Sequence, residues 1–309
     1  KKLDLEEDFI VAVSGGPDSL ALSFLTKIYS INKNLKVKYL MVDHKLRSDS
    51  TKEAKFVSLL IQKLSDSLEI LTWFGKKPKS NIQSVARKKR YELLISKAKK
   101  SKINSILLGH HKDDLVENFF IRILRGSGLN GIVSFDEKTK YQNINFIRPL
   151  IKFSKKDLVY ITQKVFQTYV EDPSNKKEEF KRVKIRNFVE KLKLEGFDKK
   201  KFDLTIKNLK FSNETIKFFV KKNLKDNSTI NKFNNPIILN KNFFCQPKEV
   251  VFRSITEVIK IVGKKYYPAR GKKIDKLIDH IRNNYSFKVT LGNCIFKKIH
   301  DTIIVSKEH

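Results

Sequence analysis

Short apolar runs alternate with amphipathic stretches of helical length through the first half of the chain, and few architectures admit that alternation. Residues 9–14 (FIVAVS) form an apolar run that ends at a Gly-Gly turn, as a buried strand does. A helix is expected over residues 18–29, then a strand at 37–44 (VKYLMVDH) and a helix at 50–64. The alternation continues with strand 69–74, helix 82–99, strand 105–110 and helix 113–125, and residues 145–150 can supply a fifth strand. Strands joined by helices of this length imply right-handed crossovers and a parallel sheet covered on both faces. The expected fold is α/β, a Rossmann-like doubly wound sheet.

Beyond Pro173 the texture changes. Residues 180–193 and 200–223 read as charged helices with apolar stripes, and 226–235 as a polar turn region. The tail mixes expected helices (248–262, 272–284) with short strands (287–291, 303–306). A domain boundary is expected between residues 191 and 203, dividing the chain into 1–198 and a helical, mixed α+β region, 199–309.

Charge narrows the class of partner. Sixty-five Lys and Arg against 33 Asp and Glu give a formal +32. A Lys-rich composition inflates that figure, yet so large a surplus attracts polyanions, and nucleic acid is the expected partner. No run approaches the ~20 apolar residues of a membrane span, and the acidic start (KKLDLEEDF) does not resemble an export signal, so a cytoplasmic location is expected and no membrane partner. Cys245 and Cys294 lie far apart, outside any CxxC pair, so each is expected to be a small core residue.

Ser14-Gly15-Gly16-Pro17-Asp18-Ser19 sits between the first strand and first helix. Its glycines let the backbone approach a ligand, and the helix N-terminus beyond favours an anion. Ser14 and Ser19 offer hydroxyls, while Asp18 can cap the helix or help hold a metal ion. An ordinary strand–turn–helix corner uses similar residues. The segment lacks the GxxxxGK[ST] pattern of a Walker loop. It resembles instead the signature of the PP-loop ATP pyrophosphatases, which implies cleavage of ATP to AMP and pyrophosphate.

Further segments refine the resemblance. They are 42–47 (VDHKLR), 109–118 (GHHKDDLVEN), 123–129 (ILRGSGL), 148–150 (RPL) and 171–175 (EDPSN), the last followed by Arg182 and Arg186. In this order they resemble the catalytic domain of the tRNA(Ile)-lysidine synthetases over about residues 8–190. Residues 266–273 (YYPARGKK) and 290–294 (TLGNC) are similar, less specifically, to that family's C-terminal domain. Lys45 stands where the family pattern has glycine, so the turn after His44 is expected to differ slightly.

The resemblance implies an ATP- and Mg2+-dependent ligase. It would adenylate the wobble cytidine of a tRNA(Ile) with a CAU anticodon and join free L-lysine to its 2-position. ATP contacts would come from residues 14–19, His44 and His110, with Mg2+ at Asp18. Asp114 and Glu117, three apart and so on one helical face, would bind the lysine amine, although such acid pairs are commonly a solvated surface. Asp43, Asp114, Glu117 and Arg125 are the candidate catalytic residues, with Asp43 ranked first as the acid that handles the amine proton. His110 and His111 lack a third ligand at zinc spacing. Arg182, Arg186, Arg270, Lys272 and Lys273 are candidates for phosphate or tRNA contacts, and a homodimer is compatible with this reading. Two alternatives stand beside it: a PP-loop tRNA thiolase, disfavoured because residues 1–200 contain no cysteine, and a non-catalytic tRNA- or nucleotide-binding protein.

Overall fold

Phe9–Val13 (β1) is apolar at every position because both of its faces are covered, as in the centre of a parallel sheet. The structure is a computed structural model that describes residues 5–75, 78, 80–171, 181–230, 236–264 and 269–308. The chain divides into two compact units, Lys1–Asp198 and Lys199–His309.

In the first unit β1 leads into α1 (Pro17–Lys33), β2 (Val37–Asp43), α2 (Ser50–Gln62), β3 (Leu68–Thr72), α3 (Ile82–Lys100), β4 (Ser105–Leu108) and α4 (Lys112–Ile123). A short α5 (Leu129–Ile132), a hairpin of β5 (Lys138–Tyr141) and β6 (Ile144–Ile147), α6 (Lys155–Phe166) and α7 (Lys181–Leu194) complete it. The sheet order is β3-β2-β1-β4-β6-β5, parallel except for β5, which pairs antiparallel with β6 at the edge. Phe9, Val11, Val13, Tyr39 and Met41 face the apolar sides of α1, α2 and α6, while Ile10, Leu40, Ile106, Leu108 and Phe146 face Leu94, Ile95 and Ala98 of α3. Helices therefore cover both faces, and each fully buried large side chain contributes ~1.5–3 kcal/mol.

The expected strands and helices of the first unit are present, with ends moved by a few residues. Three elements were not expected: the four-residue α5, edge strand β5 and helix α6. Edge strand β5 (KTKY) is half polar, as an exposed edge allows. Helix α6 starts at a capping box in which Ser154 Oγ accepts from Asp157 N (3.3 Å) and Ser154 N donates to Asp157 Oδ2 (3.0 Å).

The second unit opens with the long α8 (Lys199–Asn227). The elements β7 (Ser228–Thr229), β8 (Ile237–Leu239), α9 (Lys241–Phe244), α10 (Lys248–Gly263) and α11 (Gly271–Asn283) follow, then β9 (Phe287–Leu291), β10 (Cys294–Ile299) and β11 (Thr302–Lys307). An antiparallel sheet, β7-β8-β11-β10-β9, packs Phe296, Ile303 and Val305 against Val251, Ile255 and Ile259 of α10 and Ile274, Leu277 and Ile281 of α11. Strand β10 was not expected, because CIFKKI mixes core and lysine positions. Cys294 is buried as expected, whereas Cys245 is exposed at the end of α9 and is no core residue. Residues 172–175, Phe180, Lys265, Tyr266 and Tyr267 lie outside the described residues. Among the described residues no helix is long and apolar enough to cross a membrane.

β1 and β4 are neighbours from which the chain winds in opposite directions, the switch point where open α/β sheets take ligands. Gly109 follows β4 there, and a Cβ on it would lie 3.0 Å from Asp18 C, Asp18 O and Ser19 N of α1. Gly109→Ala is therefore expected to cost about 1–3 kcal/mol in urea unfolding and to weaken ATP binding by more than that loss of stability explains.

Candidate active site

The loop after β1 is shaped by two constraints. Gly15 has φ +82°, and a Cβ there would come within 2.5 Å of Val57 Cγ2, so only glycine fits without displacement. Its carbonyl accepts from Val170 N at 2.9 Å, and Pro17 O accepts from Thr162 Oγ1 of α6 at 2.7 Å, which braces the loop from behind. Ser14 N donates to Ser19 Oγ (3.1 Å), and Ser19 Oγ donates to Gly16 O (3.0 Å). Gly16 caps α1 with no side chain and Pro17 occupies its first turn, leaving the helix N-terminus open to an anion.

A second helix N-terminus opens on the same edge of the sheet. His111, at the cap of α4, accepts from Asp113 N through Nδ1 (3.2 Å), while its own N–H donates to Asp114 Oδ2 (3.0 Å). His111 Nε2 lies 3.5 Å from Asp114 Oδ2 and 3.7 Å from Asp18 Oδ2. One turn on, Glu117 is buried with only 4 % of its surface exposed, and its Oε1 accepts from Arg186 Nε of α7. Asp18 Oδ1 and Glu117 Oε2 are both buried and make no hydrogen bond among the described residues. Burial pushes both carboxyls above the usual carboxylate range. His111 and then Lys155 and Arg186 oppose that for Asp18, and Arg186 opposes it for Glu117.

Cations border these acids. His110 meets Phe135 edge-on (5.1 Å between centroids), and the buried Arg148 guanidinium lies 4.9 Å over the Phe135 ring. Arg148 Nη1 donates to Asp136 O and Thr139 Oγ1, whereas its Nε and His110 Nδ1 are buried without a partner. Burial, then Arg148, Arg87 and Arg182, hold His110 down to about 3, against the opposing pull of Asp114. Burial and the neighbouring Arg125 and Arg87 likewise lower the pKa of Arg122. Arg125 itself is exposed beyond the end of α4.

Asp43 and His44 stand at the end of β2, on the same edge of the sheet. Asp43 is buried with both oxygens engaged: Oδ1 accepts from Lys45 N (2.8 Å) and Oδ2 from Thr51 Oγ1 (3.0 Å). Burial alone would raise its pKa, but donors from Lys45, Ser50 and Thr51 outweigh it and hold the carboxyl below its usual range. A carboxylate so engaged is a poor base. Lys45 takes the left-handed φ 48° that glycine adopts freely, at a cost of about 1 kcal/mol. His44 packs edge-on to Trp73 and accepts from Arg90 Nε at 3.4 Å; burial, then Arg90, hold it near about 4 against the pull of Asp43.

The fold thus brings Ser14–Ser19, Asp114, Glu117, Arg182, Arg186 and His110 to one edge. Arg87, Arg148, Lys155 and His111 join them although sequence reading did not single them out for a role. Arg148 lay in view in the RPL segment, while Lys155 depends on the unexpected α6. Arg270, Lys272 and Lys273 lie exposed at the start of α11 in the second unit. Among the described residues no group of three His, Cys, Asp or Glu side chains is arranged to hold a metal.

The two depressed histidines give a pH signature. Unfolded histidine protonates near ~6.5, whereas His110 and His44 stay neutral in the fold down to about 3 and about 4. Below pH ~6.5 the unfolded chain therefore binds protons that the folded chain refuses, and stability falls as the pH falls toward 4. His110→Gln should make that decline shallower by about one proton, read from urea unfolding between pH 7 and pH 4.5.

Comparison with known proteins adds identity to this geometry. Residues 2–193 match the PP-loop domain family. The chain is 32% identical to a tRNA(Ile)-lysidine synthase of Orientia tsutsugamushi over 96% of its own length and 69% of that protein. It is 29% identical to one from Wolbachia sp. subsp. Brugia malayi, over 96% of this chain and 70% of that protein. The solved U34-tRNA thiolase NcsA from Methanococcus maripaludis shares the fold, with a TM-score of 0.59 at 15% identity, covering 69% of this chain and 73% of the other. The paired helix N-termini, the buried acids between them and these likenesses agree: the chain is an enzyme, a ligase of the PP-loop class, and belongs to the tRNA(Ile)-lysidine synthase family.

Proposed function

We propose that this chain joins the side-chain amine of free L-lysine to C2 of the wobble cytidine in a tRNA(Ile) with a CAU anticodon, at the expense of ATP. The reading rests on one juxtaposition: an open helix N-terminus fit for phosphate lies beside buried carboxyl oxygens, Asp18 Oδ1 and Glu117 Oε2, that make no hydrogen bond among the described residues. The cytidine 2-carbonyl oxygen attacks the α-phosphorus of ATP, and pyrophosphate leaves. The lysine amine then attacks C2, and AMP departs with the oxygen. The amine must shed a proton, since its free pKa is ~10.4.

In this proposal Ser14–Ser19 and the first turn of α1 bind the phosphates, and His44 and His110 lie at the nucleotide. Both imidazoles are neutral at working pH, so they serve by packing and hydrogen bonding. Arg182 and Arg125 offer charge to phosphate oxygens. Asp114 and Glu117 receive the lysine amine, and Glu117, with its raised pKa and free Oε2, takes the proton. Asp43 shapes the β2–α2 turn beside the site. Mg2+ would sit at Asp18 through the free Oδ1. A single carboxylate completed by phosphates and water suits Mg2+, which keeps much of its hydration, and it would neutralise phosphate charge. The proposed setting is the cytoplasm, and self-association into a homodimer is compatible with it.

Sulfur transfer fits less well, because residues 1–200 hold no cysteine to carry it. Incubation with ATP, labelled lysine and total tRNA should put lysine into the tRNA fraction and yield AMP with pyrophosphate. ADP as product would overturn the proposal. Asp18→Ala or Ser19→Ala should cut AMP formation at least tenfold, roughly what loss of a charge-assisted contact implies, in a chain that still folds.

The second unit is proposed to grip tRNA. Arg270, Lys272 and Lys273 are exposed where α11 presents its N-terminus. Their charge reversal should weaken tRNA binding and lower the slope of log affinity against log salt by about 1 for each phosphate that is no longer neutralised. ATP affinity should not change.

A further inference from the structure

His111 is the one imidazole of the site whose two nitrogens both have work, and the function proposed above gives it none. Its ring is nearly enclosed, with 3 % of the residue exposed. Nδ1 accepts from Asp113 N, so the ring proton of the neutral form belongs on Nε2. That N–H faces Asp114 Oδ2 at 3.5 Å and Asp18 Oδ2 at 3.7 Å. The distances are nearly equal and both too long for a settled hydrogen bond, so the Nε2 edge lies between the two carboxylates and is committed to neither. Asp18 belongs to the phosphate loop on α1, and Asp114 to the acid pair on α4. The two carboxylates repel, and His111 is the largest influence that eases the charge on Asp18.

We propose that His111 is a positioning residue whose Nε2 edge, lying between Asp18 and Asp114, holds the two carboxylates toward each other and so aligns the phosphate loop with the amine subsite. The proposal rests on the lysine-ligation reading. When Asp18 turns to its nucleotide partner, the Nε2–H is left to hydrogen-bond Asp114 Oδ2 alone, which already accepts from the His111 backbone N–H, and so fixes that carboxylate for the amine. Occupation of the phosphate loop thereby tightens lysine binding.

Two substitutions separate this role from helix capping. In His111→Asn the amide oxygen replaces Nδ1, and asparagine is a good N-cap, but no donor stands at the Nε2 position. In His111→Gln the amide nitrogen reaches the Nε2 position while the cap is weakened. The measurements are thermal unfolding, the half-saturating concentrations of lysine and ATP in tRNA-dependent AMP release, and calorimetric lysine binding with and without a non-hydrolysable ATP analogue.

We expect His111→Asn to unfold near the parent temperature yet require about tenfold more lysine, with ATP half-saturation changed less than about threefold. Calorimetry should show that the analogue no longer tightens lysine binding to this variant. His111→Gln should unfold earlier and recover most of the lysine affinity. The opposite ranking, with Asn like the parent and Gln impaired, would show that His111 only caps α4. Failure of the parent chain itself to use lysine would overturn the ligation reading, and the proposal with it.

Discussion

Gly109 passes so close to Asp18 and Ser19 that a Cβ there would press on their backbone at 3.0 Å. That passage sets the distance between the N-termini of α1 and α4, and the chemistry of the first unit depends on it. The two helices belong to neighbouring parallel strands whose connections leave in opposite directions, so the open N-terminus of α1 and the capped N-terminus of α4 meet at one edge of the sheet. The phosphate loop's helix and the Asp114–Glu117 acid pair are neighbours because two backbones are in contact beneath them.

That convergence explains an apparent conflict in the electrostatics. The protein carries a formal +32, yet its site gathers the half-buried Asp18 and Asp114 and the buried Glu117. The acids are tolerated because helix N-termini and Arg186 face them, and because Lys155, Arg148 and Arg182 stand nearby. Acids and cations here sort by the substrate portion each would meet: carboxylates for an amine, guanidinium and ammonium groups for phosphate and nucleic acid. The positive surplus elsewhere draws in a polyanion without touching the specificity of the centre.

Much of the first unit was legible in the sequence, for a physical reason. Buried parallel strands must be apolar throughout, so FIVAV, VKYLMVD and SILL announced themselves, and the turn residues after each marked the functional edge. β10 and the edge strand β5 were hidden because strands with one wet face carry lysines that blur the period. α6 was missed although its Ser154–Asp157 box was written plainly in SKKD. At the site, residues in contiguous motifs were found. Arg87 and Lys155 were not given roles because their importance comes from neighbours distant in sequence, and His111, though inside a quoted motif, because its approach to Asp18 shows only in the fold. Asp43 shows the converse: a carboxylate in a suggestive motif whose valences are already filled by its own turn.

The brace behind the loop also bears on how the protein is made. Pro17 and Thr162 are 145 residues apart in the chain, and Gly15 is held by Val170. At roughly 5–20 residues per second of synthesis, on the order of 7–30 seconds separate emergence of the SGGPDS segment from emergence of the helix that supports it. During that interval the nascent chain has the whole loop motif and the first four strands but not the support that holds the loop in shape. The loop thus takes its final shape only when a segment made much later has folded against it.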